Sequence, residues 1–116
     1  MTTYTGGCHC GQIAFEVDAE IAQVIDCNCS MCAKRGGLLA FVPVDQLRLK
    51  TSATQLATYT FNKHKIQHHF CSVCGIAPLG RGSDRGGDAM WAINVRCLDD
   101  VDLKTLEIQH YDGLSA

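Results

Sequence analysis

The sequence lacks the features that mark proteins of membranes and of the export route. Its longest apolar run, "LLAFVPV", is far shorter than the roughly twenty residues that a membrane-spanning helix needs. The opening stretch, "MTTYTGGCHCGQ", has neither a cationic leader nor an apolar run of roughly seven residues, so we expect no secretory signal. We therefore predict a soluble, cytoplasmic protein without a membrane partner.

Concentrated charge of one sign is missing as well. The formal net charge is −2, and the densest cationic stretch is the pair Lys34 and Arg35. Domains that bind nucleic acids usually carry a basic patch or stripe, because the phosphate backbone dominates their affinity. We therefore expect no nucleic acid partner. A length of 116 residues suits one domain with a real core, so we predict a single domain over residues 1–116.

Helical periodicity is scarce, whereas alternation of apolar and polar residues recurs. We predict a mainly β domain of about eight short antiparallel strands, in which "LLAFVPV" is buried on both faces and "RGSDRGGD" (residues 81–88) is a loop. Helical turns are expected at "SMCAKR", with Ser30 as N-cap, and at "LDDVDLKTL". The strand candidates are "QIAFEV", "LRLK", "LLAFVPV", "TQLATYTF", "KIQHHFC" and "AMWAINV".

The sequence is rich in one residue type, with eight cysteines. Thiols stay reduced in the cytoplasm, so this number favours metal binding over a framework of disulfides. Two short motifs, "CHC" and "CSVC", can each direct a pair of sulfurs at one ion, and each pair is followed by glycine. Four thiolates close a tetrahedral zinc site, so these motifs predict a structural zinc. Its ligands would be Cys8, Cys10, Cys71 and Cys74.

The remaining motif, "CNCSMC", has three cysteines, Cys27, Cys29 and Cys32. Three thiolates hold zinc but leave one tetrahedral position open, as in catalytic zinc sites. Lys34 and Arg35 follow directly and could hold an anionic ligand. Two alternatives stay open: the triplet joins the "CSVC" pair, or a protein side chain closes the triplet's site. The candidates for that closing ligand are Cys97, otherwise expected as a buried inert thiol, and His64, His68 and His69.

Three motifs in this order, "GGCHCGQIAFEV", "CNCSMC" and "FCSVCG", resemble the glutathione-dependent formaldehyde-activating enzyme family. The resemblance implies a β-tent fold with two zinc ions, one held by Cys8, Cys10, Cys71 and Cys74 and a functional one held by Cys27, Cys29 and Cys32. It further implies the addition of glutathione to formaldehyde, with the glutathione thiol in the open zinc position. The stretches "TYTFNKHKIQHHFCSVCGI" and "NVRCLDD" look closest to the centromere-protein-V-like subgroup.

Two positions depart from the family pattern. Asn28 stands where relatives often have histidine, and Ala33 stands where a cation or an amide often follows the third cysteine. We therefore keep two functions in view. One is a zinc-dependent carbon–sulfur lyase acting on adducts of a small thiol, with Lys34 and Arg35 binding the thiol. The other is a non-enzymatic zinc module that binds a partner through its sheet or its "RGSDRGGD" loop. The oligomeric state stays open, with a homodimer as one option.

Overall fold

The structure, a computed structural model, describes residues 1–61, 65–84 and 86–115. These residues form ten β-strands, one short helix α1 (Cys32–Arg35) and several 3₁₀ turns, so the prediction of a mainly β fold is confirmed. None of the described helices is long and apolar enough to cross a membrane. The strands are β1 (Thr2–Gly7), β2 (Ala14–Ala19), β3 (Gln23–Cys27), β4 (Leu39–Pro43), β5 (Leu47–Leu49), β6 (Leu56–Tyr59), β7 (Gln67–Cys71), β8 (Leu79–Ser83), β9 (Ala89–Asn94) and β10 (Glu107–Tyr111).

The strands form two sheets. Strands β1, β2 and β5 make the smaller sheet, and the larger one has the order β10-β3-β4-β9-β8-β7-β6. The described neighbours are antiparallel, as predicted, with the exception of β10 and β3, which run parallel. The register of that parallel pair places Tyr111 beside Cys27. The last strand therefore ends next to the cysteine triplet.

The core lies where the two sheets face each other. In β2 the residues Phe15, Val17 and Ala19 alternate inward, and in β9 Trp91 and Ile93 do the same, as their sequence pattern predicts. Burying one side chain of this size contributes about 1.5–3 kcal/mol to the free energy of unfolding. The buried cluster consists of Phe15, Val17, Ala19, Val24, Leu38, Val42, Leu47, Leu79, Trp91, Ile93, Val95 and Leu98.

Three local expectations are wrong. Helix α1 has Met31 as its N-cap instead of Ser30, and the Cys32 N–H donates to the Cys29 sulfur at 3.4 Å, so a thiol takes the place expected for the serine hydroxyl. Strand β4 is not buried on both faces, because Phe41 lines a surface cavity and is 52% exposed. Strand β8 extends to Ser83 and so includes the start of the loop predicted from residue 81.

Charged pairs stabilise the solvent face of the smaller sheet. The Arg48 guanidinium donates to both carboxylate oxygens of Asp18, at 2.8 and 3.2 Å, across the β2–β5 pair. Hydrogen bonds from Arg48 and then from the Thr3 hydroxyl lower the pKa of Asp18 to about 2. Because the folded-state pKa lies below the ordinary value of 3.8, the charged form of Asp18 is favoured by folding.

The Asp18 contribution to stability should be present above about pH 4 and lost as the pH falls towards 2, because protonation of the carboxyl removes its interaction with Arg48. We expect Asp18→Asn to lower the urea midpoint of unfolding at pH 7. Between pH 4 and pH 2 that midpoint should fall less in Asp18→Asn than in the wild type. The control is Asp45→Asn, at an exposed position in the 3₁₀ turn after β4. Its urea midpoint should fall between pH 4 and pH 2 as much as that of the wild type. Parallel curves for wild type and Asp18→Asn would contradict this account.

Candidate metal centres and the adjoining cavity

Four cysteines meet where the two sheets come together. Cys8 and Cys10 lie in the turn between β1 and β2, whereas Cys71 ends β7 and Cys74 follows in a tight turn. Their sulfurs lie within 4.8 Å of one another, with 3.7 Å between Cys8 and Cys10 and 3.6 Å between Cys10 and Cys71. A tetrahedron with zinc–sulfur bonds of about 2.3 Å has sulfur–sulfur edges of about 3.8 Å. The spacing therefore fits a four-thiolate zinc site.

Backbone N–H groups surround these sulfurs. Ile13 N–H donates to the Cys8 sulfur at 3.3 Å, and the N–H groups of Val73 and Cys74 donate to the Cys71 sulfur at 3.4 Å. The backbone N–H of Ile76, followed by that of Cys10, lowers the pKa of Cys74 to about 6. Hydrogen bonds of this kind favour the charged thiolate, which is the form that binds metal.

The turn that carries Cys71 and Cys74 depends on a glycine. Gly75 has a φ of 82°, in the left-handed region that favours glycine, and its N–H donates to the Cys71 carbonyl at 3.0 Å. The sequence motif "CSVCG" therefore gives both a ligand pair and the backbone freedom that brings the pair together.

The second cluster lies at the end of β3. Cys27 ends the strand, Cys29 lies in the following turn and Cys32 begins α1, and their three sulfurs lie within 4.8 Å of one another. The N–H groups of Cys29 and Cys32 donate to the sulfurs of Cys27 and Cys29 at 3.5 and 3.4 Å. Burial raises the pKa of Cys32 to about 12, and the neighbouring Cys29 and Cys27 add to the rise. Three thiolates this close need a cation among them.

The C-terminal segment closes over this cluster through Asn28. The Asn28 N–H donates to the Tyr111 carbonyl at 3.1 Å, and its side-chain amide donates to the Asp112 carboxylate at 3.1 Å. The Leu114 N–H donates in turn to the Asn28 side-chain oxygen at 3.0 Å. These bonds fix the turn between Cys27 and Cys29 against the end of β10.

A glycine in the same segment approaches the sulfurs closely. A Cβ at Gly113 would lie 2.6 Å from the Cys27 sulfur, closer than real Cβ atoms come, and would also make a tight contact of 3.2 Å with the Cys29 Cβ. The chain therefore passes directly beside the cluster, and a larger residue at Gly113 would push against it.

The three-cysteine cluster opens into a cavity of about 540 Å³ on the face of the larger sheet. Binding sites for small molecules typically have volumes of about 300–1,000 Å³ and mostly apolar walls. The lining consists of Ile25, Cys27, Cys29, Met31, Cys32, Arg35, Gly37, Leu39, Phe41, Phe61, Ile66, His68, Gly75, Ile76, Ala77, Leu79, Gly80, Ala92, Asn94, Tyr111 and Gly113.

One of the two cations predicted near the triplet reaches this cavity. Arg35 lines it, with the guanidinium carbon 5.9 Å from the centre of the Phe70 ring, whereas Lys34 is exposed and does not contribute to the lining. His68 also lines the cavity, and its ring stacks on Phe61 at 5.2 Å. Burial, then the charges of Arg35 and His69, lower the pKa of His68, so the neutral imidazole predominates at pH 7.

The structure gives the other candidate ligands separate surroundings. Burial raises the pKa of Cys97 to about 11, with Cys8 and Cys74 adding to the rise, so Cys97 lies near the four-cysteine cluster and does not complete the triplet. The His69 ring nitrogen Nδ1 is hydrogen-bonded to the Thr58 hydroxyl at 3.0 Å. His64 lies outside the described residues. Within the part of the chain that the structure describes, no histidine, cysteine or carboxylate joins the three sulfurs as a fourth ligand.

Comparison with known proteins gives the family. The family model described as glutathione-dependent formaldehyde-activating enzyme matches residues 3–111. The chain belongs to this family. A crystal structure of a Rhodobacter sphaeroides protein is also similar, with a TM-score of 0.77 and 29% identity over 90% of this chain and 99% of that chain. The resemblance is thus confirmed at the family level, whereas the centromere-protein-V-like subgroup stays a prediction.

Sequence reasoning missed part of the site of this formaldehyde-activating family member. The sequence does not mark Tyr111 or Gly113, because the short last strand and the turn after it carry no motif of their own. These residues reach the site through the parallel pairing of β10 with β3, which joins segments that are far apart in the sequence. Asn28 departs from the family pattern, and in the structure its side chain holds the C-terminal segment.

The two cysteine clusters should respond differently to substitution. We expect about two zinc ions per chain, and we expect Cys8→Ser and Cys71→Ser to unfold the protein, because metal binding and folding are coupled at a site that joins two sheets. Cys29→Ser should stay folded with about one zinc. Metal analysis by mass spectrometry together with circular dichroism measures both properties. Equal unfolding by Cys29→Ser and Cys8→Ser would show that the division into two kinds of site is wrong.

The Asn28 contacts should protect one amide hydrogen in particular. Asn28→Ala removes the acceptor of the Leu114 N–H, so we expect that amide to exchange with solvent at least tenfold faster in NMR experiments. Gln109→Ala is the matched control, because the Gln109 side chain bonds to the side chains of Gln23 and Glu107. Unchanged Leu114 exchange in Asn28→Ala would refute the proposed role of Asn28.

Proposed function

We propose that this protein is a carbon–sulfur lyase that adds a small thiol, in the first instance glutathione, to formaldehyde and reverses the same reaction. The observation that carries the proposal is the three-cysteine cluster, Cys27, Cys29 and Cys32, which opens into a cavity and gathers no fourth ligand among the described residues. A closed structural site would have four protein ligands. Membership of the glutathione-dependent formaldehyde-activating family supports the same reaction.

The donor set suits zinc, which binds thiolates and has no redox chemistry of its own. Zinc held by Cys27, Cys29 and Cys32 would supply a Lewis acid that lowers the pKa of a substrate thiol beside it. The sulfur then attacks the carbonyl carbon, so that a carbon–sulfur bond forms while the C=O electron pair moves to oxygen and takes up a proton. No oxidant or reductant is needed in either direction.

The cavity residues have roles that follow from their charge. Arg35 is positioned to bind a carboxylate of glutathione through charge-assisted hydrogen bonds. His68 is neutral at pH 7 and can accept the thiol proton, because burial and the charge of Arg35 lower its pKa. Asn28 acts by holding the turn between Cys27 and Cys29 against the C-terminal segment. Lys34 remains a candidate for a weaker, longer-range attraction of the anionic thiol.

The non-enzymatic alternative would be favoured by a protein ligand that closes the second cluster, and one candidate for that ligand, His64, lies outside the described residues. Cys97 and His69 have other surroundings, and His68 lines the cavity without joining the three sulfurs. The enzyme is therefore the function that we propose.

Exchange NMR of glutathione and formaldehyde tests the reaction directly. The zinc-loaded protein should increase the exchange rate between free thiol and adduct above the spontaneous rate, and Cys29→Ser should abolish the increase while the chain stays folded. No increase over the spontaneous rate, with several small thiols tried, would contradict the proposal.

A second variant tests the binding of the thiol. Arg35→Ala should raise the KM for glutathione about tenfold or more with a smaller effect on kcat, since a hydrogen bond to a charged group contributes about 1.5–3 kcal/mol. Arg48→Ala is the matched control, because Arg48 pairs with Asp18 on the smaller sheet, away from the cavity. An equal KM in wild type and Arg35→Ala would remove Arg35 from the site.

A further inference from the structure

The cavity beside the three-cysteine cluster exposes large apolar side chains. Four of them line it while substantially exposed: Phe41 at 52%, Ile66 at 51%, Ile76 at 39% and Tyr111 at 52%. Soluble proteins rarely leave a contiguous apolar patch in water unless something binds there. The apolar surface is continuous with the sulfurs of the cluster, so whatever covers it lies next to the reacting atoms.

The cavity has few polar groups to offer a ligand. Among the described lining residues, Arg35 is the one with a permanent charge. The Asn94 side chain is partly used, because its amide donates one bond to the Ala77 carbonyl at 3.4 Å and its oxygen accepts one from the Arg96 N–H at 3.2 Å. His68 is mostly neutral. The cavity can therefore bind one anionic group and otherwise favours an apolar ligand.

Aromatic rings shape one wall. The Phe61 ring stacks between Tyr59, at 5.8 Å, and His68, at 5.2 Å, and both Phe61 and His68 line the cavity. Phe41 and Tyr111 add two more rings. Flat rings pack well against another planar group in stacked or edge-to-face geometry.

Formaldehyde does not match these walls. Its adduct adds one carbon and one hydroxyl group to the sulfur, and the rest of glutathione is a charged peptide. Most of the apolar cavity surface would therefore stay in contact with water. A substituent with an aromatic or large alkyl group on the carbon next to sulfur would instead cover it.

We infer that the preferred substrate is the adduct of a small thiol with an aromatic or large apolar aldehyde, whose apolar group lies between Phe61, Ile66 and Tyr111. The inference rests on the proposed function and names the substrate class of the same site. In the cleavage direction, the carbon–sulfur bond breaks, the thiolate leaves with the electron pair, and the hydroxyl loses its proton as the carbonyl forms. The reaction balances without a further co-reactant.

Two thioethers that cannot react can be used to measure how much the apolar walls of the cavity contribute to binding affinity. S-benzylglutathione and S-methylglutathione have the same peptide, so their affinities for the zinc-loaded protein, measured by isothermal titration calorimetry, differ through the sulfur substituent alone. We expect the benzyl compound to bind at least tenfold more tightly. Ile66→Ala should reduce this preference at least threefold. Ile108→Ala should preserve it, because Ile108 is similarly exposed, at 45%, but lies outside the cavity lining.

The outcomes separate the inference from the proposed function. Equal affinities for the two thioethers, with formaldehyde exchange still accelerated, would overturn the inference and leave the function standing. Absence of binding by both thioethers together with absence of exchange would overturn both. Sedimentation that shows a dimer in wild type and a monomer in Ile66→Ala would also overturn the inference, because a second copy of the chain would then cover these walls.

Discussion

Repulsion between neighbouring thiolates is the constraint around which this small β fold is arranged. Seven cysteine sulfurs fall into two clusters, in each of which all sulfurs lie within 4.8 Å of one another. Two unit charges about 4 Å apart repel by about 4 kcal/mol at an effective dielectric constant of about 20. A divalent cation turns this repulsion into attraction. The four-cysteine cluster joins the β1–β2 turn of the smaller sheet to β7 of the larger one, so a metal bound there would bridge the two sheets.

The three-cysteine cluster lies within the larger sheet and depends on different contacts. Strand β10 runs parallel to β3, so that Tyr111 and Gly113 lie next to the sulfurs. Asn28 fixes the turn between Cys27 and Cys29. The parallel pair, the one exception among the described strand pairs, thus places the described end of the chain at the site. A metal here would shape a binding site, whereas a metal between the sheets would hold the fold together.

The sequence predicts those parts that depend on local pattern. Alternation in "QIAFEV" and "AMWAINV" identifies two core strands, and cysteine spacing separates the four-cysteine set from the triplet. The remainder depends on contacts between distant segments. Strands β1 and β10 carry no strong pattern, so the C-terminal contact with Asn28 is invisible in the sequence. Phe41 looks like a core residue until the tertiary fold places it beside a cavity, because periodicity shows which residues share a face but not what that face meets.

Cadmium NMR of the full chain tests most directly whether the second cluster keeps a position open for a substrate thiol. Cadmium in place of zinc gives one resonance per site, at a frequency that moves with the number of sulfur ligands. The account predicts two resonances, of which the four-sulfur signal stays fixed when glutathione is added and the three-sulfur signal moves towards it. Two signals whose frequencies both stay unchanged when glutathione is added, or a second site already closed by four protein ligands, would contradict it.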